Sequence, residues 1–216
     1  MTMQTGRRTD DGGDHRSGLR ERKKAATRAA LSRVAMRLAL EDGVEHVTAE
    51  AIAAAADVAP RTFHNYFASK EEAIVAVMVD RARGFSVALR ARPAGEPIWD
   101  ALHHAIVAEL SGPPEVMAEF LAQMRMLKSS KSLRAYNLTV FEEIDQLLLT
   151  AIADRIGSDV ERDLYPRLLA AVAVAALKTS VSLWEEDDDR DATPVAVATD
   201  ALRQLRAGLP EPVSHN

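Results

Sequence analysis

The chain has 216 residues, of which 47% are hydrophobic and none is cysteine, and its formal net charge is −5. That length permits one large domain, or a small domain joined to a larger one. The absence of cysteine excludes disulfides, thiolate metal sites and a cysteine nucleophile. The longest unbroken apolar run, residues 168–177, is too short to span a bilayer. The polar N-terminus lacks the apolar stretch of a signal peptide, so we expect a cytoplasmic protein that does not associate with membranes.

Charge is divided unevenly along the chain. Residues 16–70 carry ten basic and six acidic side chains, a balance of +4. Residues 71–216 carry 15 basic and 23 acidic side chains, a balance of −8. A basic N-terminal part on an acidic body is the asymmetry expected when only one end of a protein meets phosphates.

The hydrophobic pattern predicts an all-α fold, because apolar residues recur at intervals of three and four and no stretch alternates with period two. The predicted helices cover residues 19–40, 48–56, 60–67, 69–90, 98–110, 114–128, 133–156, 160–184 and 193–209. Thr48 is a suitable N-cap for the second helix, and Pro60 suits the first position of the third. Ser69 and Glu72 have the spacing of a capping box, which starts the fourth helix. The architecture is a three-helix head, a connecting fourth helix and a five-helix body.

The two short helices on either side of residues 57–59 form a predicted helix-turn-helix, whose second helix is able to lie in a major groove. At about 100° per residue, Phe63 and Phe67 lie roughly 40° apart on one face, which we expect to be buried. The polar side chains left on the other side are Arg61, Thr62, His64 and Asn65, with Tyr66 at the boundary. Arginine pairs with guanine and asparagine with adenine in the major groove, so this edge predicts base recognition.

The sequence of this segment resembles the signature of the TetR family of transcriptional regulators. Residues 53–67 are AAAADVAPRTFHNYF, followed by Ser69 and Lys70, and the spacing of the Thr, the two aromatic residues and the Lys matches. Two positions differ from the family pattern. Asp57 replaces the turn glycine, and Asp tolerates left-handed backbone better than most residues. Ala59 replaces a serine, which removes a cap worth about 1 kcal/mol.

The resemblance implies a role in DNA binding for each residue of the head that matches the family. It assigns Arg61 and Thr62 to base edges, and His64 and Tyr66 to phosphate or an adjacent base. Thr48 and Lys70, at the starts of two helices, are expected to contact phosphates. The basic residues expected beside the DNA backbone are Arg20, Arg22, Lys23 and Lys24. The alternatives are partial core packing for Tyr66, a helix-start spacer for Lys70 and a solvated helical turn for the basic run.

The resemblance also implies a homodimer with an effector pocket in its body. The expected pocket residues form apolar stripes on several helices: Phe85, Trp99, His103, Met117, Phe120, Met124, Phe141 and Ile144. Methionine-rich walls suit bulky apolar ligands, although such stripes are more often core. The expected dimer contacts lie on the last two helices: Leu169, Ala173, Ala176, Ser180, Val197, Ala201 and Leu205. Packing within one chain is the alternative for these residues as well.

These expectations define a ligand-responsive repressor that binds a pseudo-palindromic double-stranded operator as a dimer and is released by a small apolar effector. The corresponding divisions are a disordered tail (1–18), a helix-turn-helix DNA-binding domain (19–68), a ligand-binding and dimerisation domain (69–210) and a C-terminal tail (211–216). We expect no enzyme, metal or cofactor, because the sequence has no zinc, di-iron, phosphate-loop or nucleophile-elbow motif. The alternatives are an activator with the same head and a helical interaction protein that does not bind DNA.

Overall fold

A computed structural model describes residues 12–186 and 193–210 of the chain. Within these ranges the structure is entirely helical outside its turns and contains no strand. The helices are α1 (Gly12–Asp42), α2 (Ala49–Ala55), α3 (Pro60–His64), α4 (Lys70–Ala91), α5 (Ile98–Leu110), α6 (Pro114–Ser129), α7 (Lys131–Ile156), α8 (Leu164–Glu186) and α9 (Pro194–Arg206). The predicted all-α fold class is therefore confirmed.

The chain forms two compact units, with the boundary between Ile74 and Val75 inside α4. The first unit is the head, built from α1, α2, α3 and the first turn of α4. Its core consists of side chains from all four helices and from the segments that join them: Leu31, Ala35, Met36, Val44, Val47, Ile52, Ala53, Phe63, Phe67 and Ile74. Each of these helices is short or polar on its outer side, so burial of this shared apolar face stabilises the head.

The ends of the head helices follow local sequence signals. The Oγ1 of Thr48 accepts a hydrogen bond from the backbone N–H of Ala51 at 3.1 Å, which confirms the predicted N-cap of α2. The first helix begins at Gly12, seven residues before the predicted start at residue 19. The sequence prediction placed residues 12–18 in a disordered tail because they are polar and rich in glycine, and this part of the prediction is wrong. The rest of that tail, and the C-terminal tail at 211–216, lie outside the described residues.

The turn between α2 and α3 explains why an aspartate is able to replace glycine there. Asp57 has a φ of 53°, in the left-handed region that Asp adopts more readily than most residues. Its N–H donates to the carbonyl of Ala54 at 3.1 Å, and the N–H of Val58 donates to the carbonyl of Ala53 at 3.0 Å. This pair of bonds is a Schellman motif, which satisfies the last carbonyls of α2 and fixes the direction in which the chain enters α3.

The second unit is the body, in which residues 75–91 of α4 pack with the later helices. A buried cluster in this unit combines Leu89 of α4 with α5, α7 and α8, and includes Leu102, Ile152 and Leu169. The eighth helix begins at Leu164 rather than at the predicted residue 160. Pro166 accounts for the difference, because a helix starting at 160 would place this proline in its interior, whereas the observed start leaves it in the first turn.

A buried arginine secures the connection between α4 and α5. The guanidinium of Arg155, whose side chain is 5% exposed, donates hydrogen bonds to the carbonyls of Leu89, Arg92, Pro93 and Glu96. The last carbonyls of a helix have no partner within the helix, and Arg155 supplies one from α7. The end of α4 is thereby fixed to the body.

The carboxylate of Glu96 completes this connection. It accepts hydrogen bonds from Arg92 at 2.6 and 2.8 Å and lies 2.6 Å from the Nδ1 of His104. These bonds lower the pKa of Glu96 from its ordinary 4.5 to about 2, and the hydrogen bonding from Arg92 makes the largest contribution. The carboxylate is therefore ionised in the folded protein at any pH near neutrality.

This lowered pKa predicts how the stability of the body depends on pH. A depressed carboxylate pKa stabilises the folded state above the ordinary value of 4.5, and the contribution is lost as the pH falls toward about 2. We expect Glu96→Gln to unfold at a lower urea concentration than the parent at pH 7, with a gap that narrows below pH 4.5. The exposed Glu161→Gln is the control. A gap that stays constant across this range would contradict the assignment.

Candidate DNA-binding surface and effector cavity

The orientation of α3 is set by its two phenylalanines. Phe63 is 0% exposed and Phe67 is 1% exposed, which confirms the predicted buried face. Their ring centroids lie 5.7 Å apart, and the guanidinium carbon of Arg28 on α1 lies 4.8 Å from the centroid of Phe67. Aromatic and cation–π contacts of this kind have preferred geometries, so the pair holds α3 against α1 in one rotational setting.

The opposite edge of α3 is polar and open to solvent. Arg61, His64 and Asn65 are exposed, while Thr62 and Tyr66 are half-buried. The intermediate exposure of Tyr66 agrees with its predicted position at the boundary between the two faces. The head thus presents one arginine, one histidine and one asparagine together on a rigid element, which is the chemistry needed to recognise base edges in a major groove.

The third helix is shorter than the sequence predicted, because it ends at His64 rather than at residue 67. The chain nevertheless continues in a helical turn, since Asn65 has right-handed helical dihedral angles and the N–H of Phe67 donates to the carbonyl of Phe63 at 3.0 Å. The predicted angular relation of the two phenylalanines therefore holds.

At the N-terminal end of α3, Ala59 occupies the N-cap position and provides no side-chain hydrogen bond, as expected from the missing serine.

The ammonium group of Lys70 is directed into the head. Its Nζ donates to the carbonyls of Val44, Glu45 and Val47 at 3.0, 3.3 and 2.9 Å. These three bonds use every donor of the ammonium group. The side chain therefore ties the start of α4 to the loop between α1 and α2, a structural role that competes with the phosphate contact that the resemblance implies.

The start of α4 also has the predicted capping box. The Oγ of Ser69 accepts from the N–H of Glu72 at 3.1 Å. The carboxylate of Glu72 reaches back to the N–H of Ala68 at 2.8 Å, one residue before the cap. Both bonds satisfy backbone donors at a helix start.

The long α1 exposes its basic run of Arg20, Arg22, Lys23 and Lys24 to solvent.

The body encloses a cavity of about 460 Å³. Five of the eight residues predicted for an effector pocket line it: Phe85, Phe120, Met124, Phe141 and Ile144. They come from α4, α6 and α7, and α5 and α8 complete the wall. A volume of this size, with mostly apolar walls, is typical of sites for small organic ligands.

The other three predicted pocket residues do not line the cavity. The ring of Trp99 packs against the buried cluster of the body, and the Nε2 of His103 lies 3.3 Å from the hydroxyl of Thr199 on α9. Only the C-terminal part of α5, with Ile106 and Leu110, reaches the cavity. Trp99 and His103 share a face with these residues but lie about 10 Å or more along the helix from Leu110. Met117 lies one turn before Phe120 on α6 and is likewise outside the lining.

Periodicity of apolar residues did not reveal the charged part of the cavity wall. The charged lining residues are Arg81, Glu109, Lys128, Arg134 and Lys178. Arg81 forms an ion pair with Glu109, and its guanidinium carbon lies 4.1 Å from the ring centroid of Phe120. The Nζ of Lys178 lies 5.2 Å from the centroid of Phe141. No local signal identifies these residues, since their helices come together only in the folded body.

The residues of α8 that were predicted to form the dimer interface are buried within their own chain. Leu169 and Ala173 belong to the core of the body, while Ala176 and Ser180 are 8% and 2% exposed. This prediction is wrong, because α8 is apolar on nearly all sides and the pattern alone does not tell its inner face from its outer face. On α9, the predicted residues Val197, Ala201 and Leu205 are half-buried.

A row of apolar and small residues lies on the exposed side of α8, next to the exposed Tyr165, Arg167 and Lys178, and we call this row the α8 stripe: Leu164, Leu168, Ala171, Ala175 and Thr179. By helical geometry it lies opposite the buried face that contains Ala173. Leu164 and Leu168 are 67% and 53% exposed. The segment Leu164–Leu183 is also long and apolar enough, by composition, to cross a membrane, but its inner face is accounted for by packing in the body.

Together, a helix-turn-helix head with a polar α3 edge and a helical body define a DNA-binding transcriptional regulator. Comparison with known proteins agrees. Residues 31–77 match the family described as bacterial regulatory proteins of the tetR family, and residues 96–210 match the MftR C-terminal domain. The chain belongs to the TetR family of transcriptional regulators.

Individual members of the family are similar over nearly the whole chain. The HTH-type transcriptional regulator TcmR of Streptomyces glaucescens is 37% identical over 201 residues, covering 89% of this chain and 88% of TcmR. The crystal structure of FadR from Thermus thermophilus, in complex with lauroyl-CoA, superimposes with a TM-score of 0.60 at 22% identity, over 88% of this chain and 98% of FadR. SmeT of Stenotrophomonas maltophilia, in complex with triclosan, gives 0.53 at 17% identity, over 88% and 100%.

The contacts of Lys70 predict the effect of removing its charge. Lys70→Met keeps most of the aliphatic stem but leaves three carbonyls without their donor, so we expect a loss of about 1–3 kcal/mol in the free energy of unfolding. Urea unfolding followed by circular dichroism measures it. The exposed Lys131→Met, in the first turn of α7, is the control. Unchanged stability combined with weaker DNA binding would instead show that Lys70 acts at phosphate.

Proposed function

We propose that this protein is a homodimeric repressor that binds a pseudo-palindromic operator through α3 and releases it when a small organic effector enters the body cavity. The observation that supports operator binding is the orientation of α3. Burial of Phe63 and Phe67 leaves Arg61, His64 and Asn65 exposed on one edge. A solvated helix without a partner more usually carries Glu, Lys and Gln at such positions.

Two further groups contribute affinity that does not depend on base sequence. The exposed basic run of α1, which includes Arg20, Lys23 and Lys24, supplies cations for the phosphate backbone. The exposed Thr48 stands at the start of α2, where its hydroxyl and nearby N–H groups also suit a phosphate. In this proposal Thr62 and Tyr66 make contacts at the border of the base-reading edge, and Lys70 positions the loop before α2.

The base-reading edge predicts a large effect of a double substitution. Each bidentate contact contributes about 1–3 kcal/mol, so Arg61→Ala with Asn65→Ala should weaken binding to DNA from upstream of the protein's own gene by about 30-fold or more. Fluorescence anisotropy at fixed salt concentration measures the dissociation constant. The control is Arg162→Ala, since the side chain of Arg162 is 86% exposed in the body. Wild-type affinity in the folded double variant would overturn the proposal.

A repressor and an activator share this head, so the sign of regulation requires a different experiment. A reporter gene behind the bound DNA, measured with and without the protein, separates the two. We propose repression, in the cytoplasm, with activation as the alternative. A helical protein that interacts only with other proteins would show no DNA affinity at either of two salt concentrations.

Operator recognition as proposed requires a dimer, because one short helix reaches too few bases and two half-sites are spaced by about 34–36 Å. We assign the dimer contact to the α8 stripe instead of the buried face that contains Ala173. The stripe is exposed and its own members are uncharged, although Arg167 and Lys178 flank it, and its alanines permit close approach of a second helix. The half-buried α9 residues Val197, Ala201 and Leu205 form the proposed edge of the interface.

A charge in the α8 stripe is therefore expected to separate the subunits. Leu168→Arg should shift the protein from dimer to monomer in sedimentation velocity and weaken operator binding, while the secondary structure stays intact. Val87→Arg is the matched control, because Val87 is a 65% exposed apolar residue on α4, away from the stripe. A Leu168→Arg variant that remains dimeric would contradict this assignment.

The proposed coupling between effector and DNA uses α4. Its first residue, Lys70, is bonded to the head, while Arg81, Ala82 and Phe85 line the cavity. An effector that binds more tightly to one setting of α4 would change the operator affinity by that difference and no more. Two structurally similar regulators were crystallised with lauroyl-CoA and triclosan, respectively, which supports a small organic molecule as the effector.

A further inference from the structure

We propose that the effector is an organic anion: an apolar, ring-containing or chain-like body with one acidic group bound at a cationic end of the cavity. This inference rests on the proposed role of the cavity as the effector site and specifies its ligand. It differs from the small apolar effector expected from the sequence, because it adds an acidic group. The structure supports it through the number, the position and the pairing of the charged residues in the wall.

The charge of the cavity wall is opposite in sign to that of the body around it. The body, residues 75–216, carries 15 basic and 21 acidic side chains. Within the part of the chain that the structure describes, the cavity wall carries four basic residues, namely Arg81, Lys128, Arg134 and Lys178, and one acidic residue, Glu109. A wall with a balance of +3 in a body with a balance of −6 raises the local concentration of anions.

These charges are not distributed evenly along the cavity. Arg134, Phe141 and Leu148 line it at intervals of seven residues along α7, so each step is about 10.5 Å. The Nζ of Lys178 lies over Phe141, in the middle of this row. Leu148 belongs to the buried apolar cluster together with Ala173 of α8. The cavity is therefore apolar near Leu148 and becomes cationic toward Arg134.

The pairing of the cations shows which of them are suited to an acidic ligand. Arg81 is neutralised by Glu109 and stacked on Phe120, so it serves mainly as part of the wall. Lys178 and Arg134 are exposed and come from different helices. A ligand acid held by either of these exposed cations remains partly hydrated, which avoids the cost of burying an ionic group, while its apolar body fills the space beside Phe141 and Ile144.

A pair of fluorescent probes tests this inference. Anilinonaphthalene sulfonate carries an anionic group on an aromatic body, and phenylnaphthylamine has the same body without the charge. Both fluoresce more strongly in an apolar site. With the full chain, we expect the sulfonate to bind at least tenfold more tightly than the neutral probe, and Met124→Trp, which fills the cavity, to abolish binding of both.

The decisive variant removes the two cations. Lys178→Met with Arg134→Met should weaken the sulfonate at least tenfold and change the neutral probe by less than twofold, which also shows that the cavity is intact. The matched control is Lys131→Met with Arg125→Met, which removes the same charges from exposed positions outside the lining. Equal affinity for both probes, or equal loss in the two double variants, overturns the anionic ligand and leaves the cavity as an effector site. Probe binding that Met124→Trp does not change overturns the effector site itself.

Discussion

The burial of Phe63 and Phe67 is the constraint on which the DNA-binding surface depends. Successive residues of a helix are separated by about 100°, so fixing two side chains on one side of α3 fixes every other side chain as well. Arg61 and Asn65 are exposed because the two rings, packed with Arg28 of α1, occupy the opposite side. Loss of either ring would leave a cavity in a small core and allow α3 to rotate, so recognition and stability depend on the same contacts.

The head could be predicted closely because its signals are local. The cap at Thr48 and the left-handed turn at Asp57 each involve residues within five positions of one another in the chain, and the capping box at Ser69 is equally short-range. These contacts fix the ends of the helices before any tertiary packing is considered. The three carbonyls bound by Lys70 were beyond prediction, since they lie more than twenty residues earlier in the chain.

The sequence predicts the helices of the body, but it predicts less well which side of each helix is buried. The sequence of α8 is apolar around most of its circumference, so the choice between the side of Ala173 and the side of Leu168 depends on which neighbours pack against it. The same limit applies to Trp99 and His103, which share the face of Ile106 and lie too far along α5 to reach the cavity. The late start of α8 was predictable in principle, because Pro166 is a local signal.

The head and the body require different kinds of test. The central claim to be tested is the orientation of α3 on DNA. The most direct measurement is a crystal structure of the protein bound to a duplex that contains its operator. The account predicts α3 of each subunit in a major groove, with the guanidinium of Arg61 and the amide of Asn65 within hydrogen-bonding distance of base edges. A complex in which that edge of α3 faces solvent or its own chain, while DNA is held elsewhere, would contradict it.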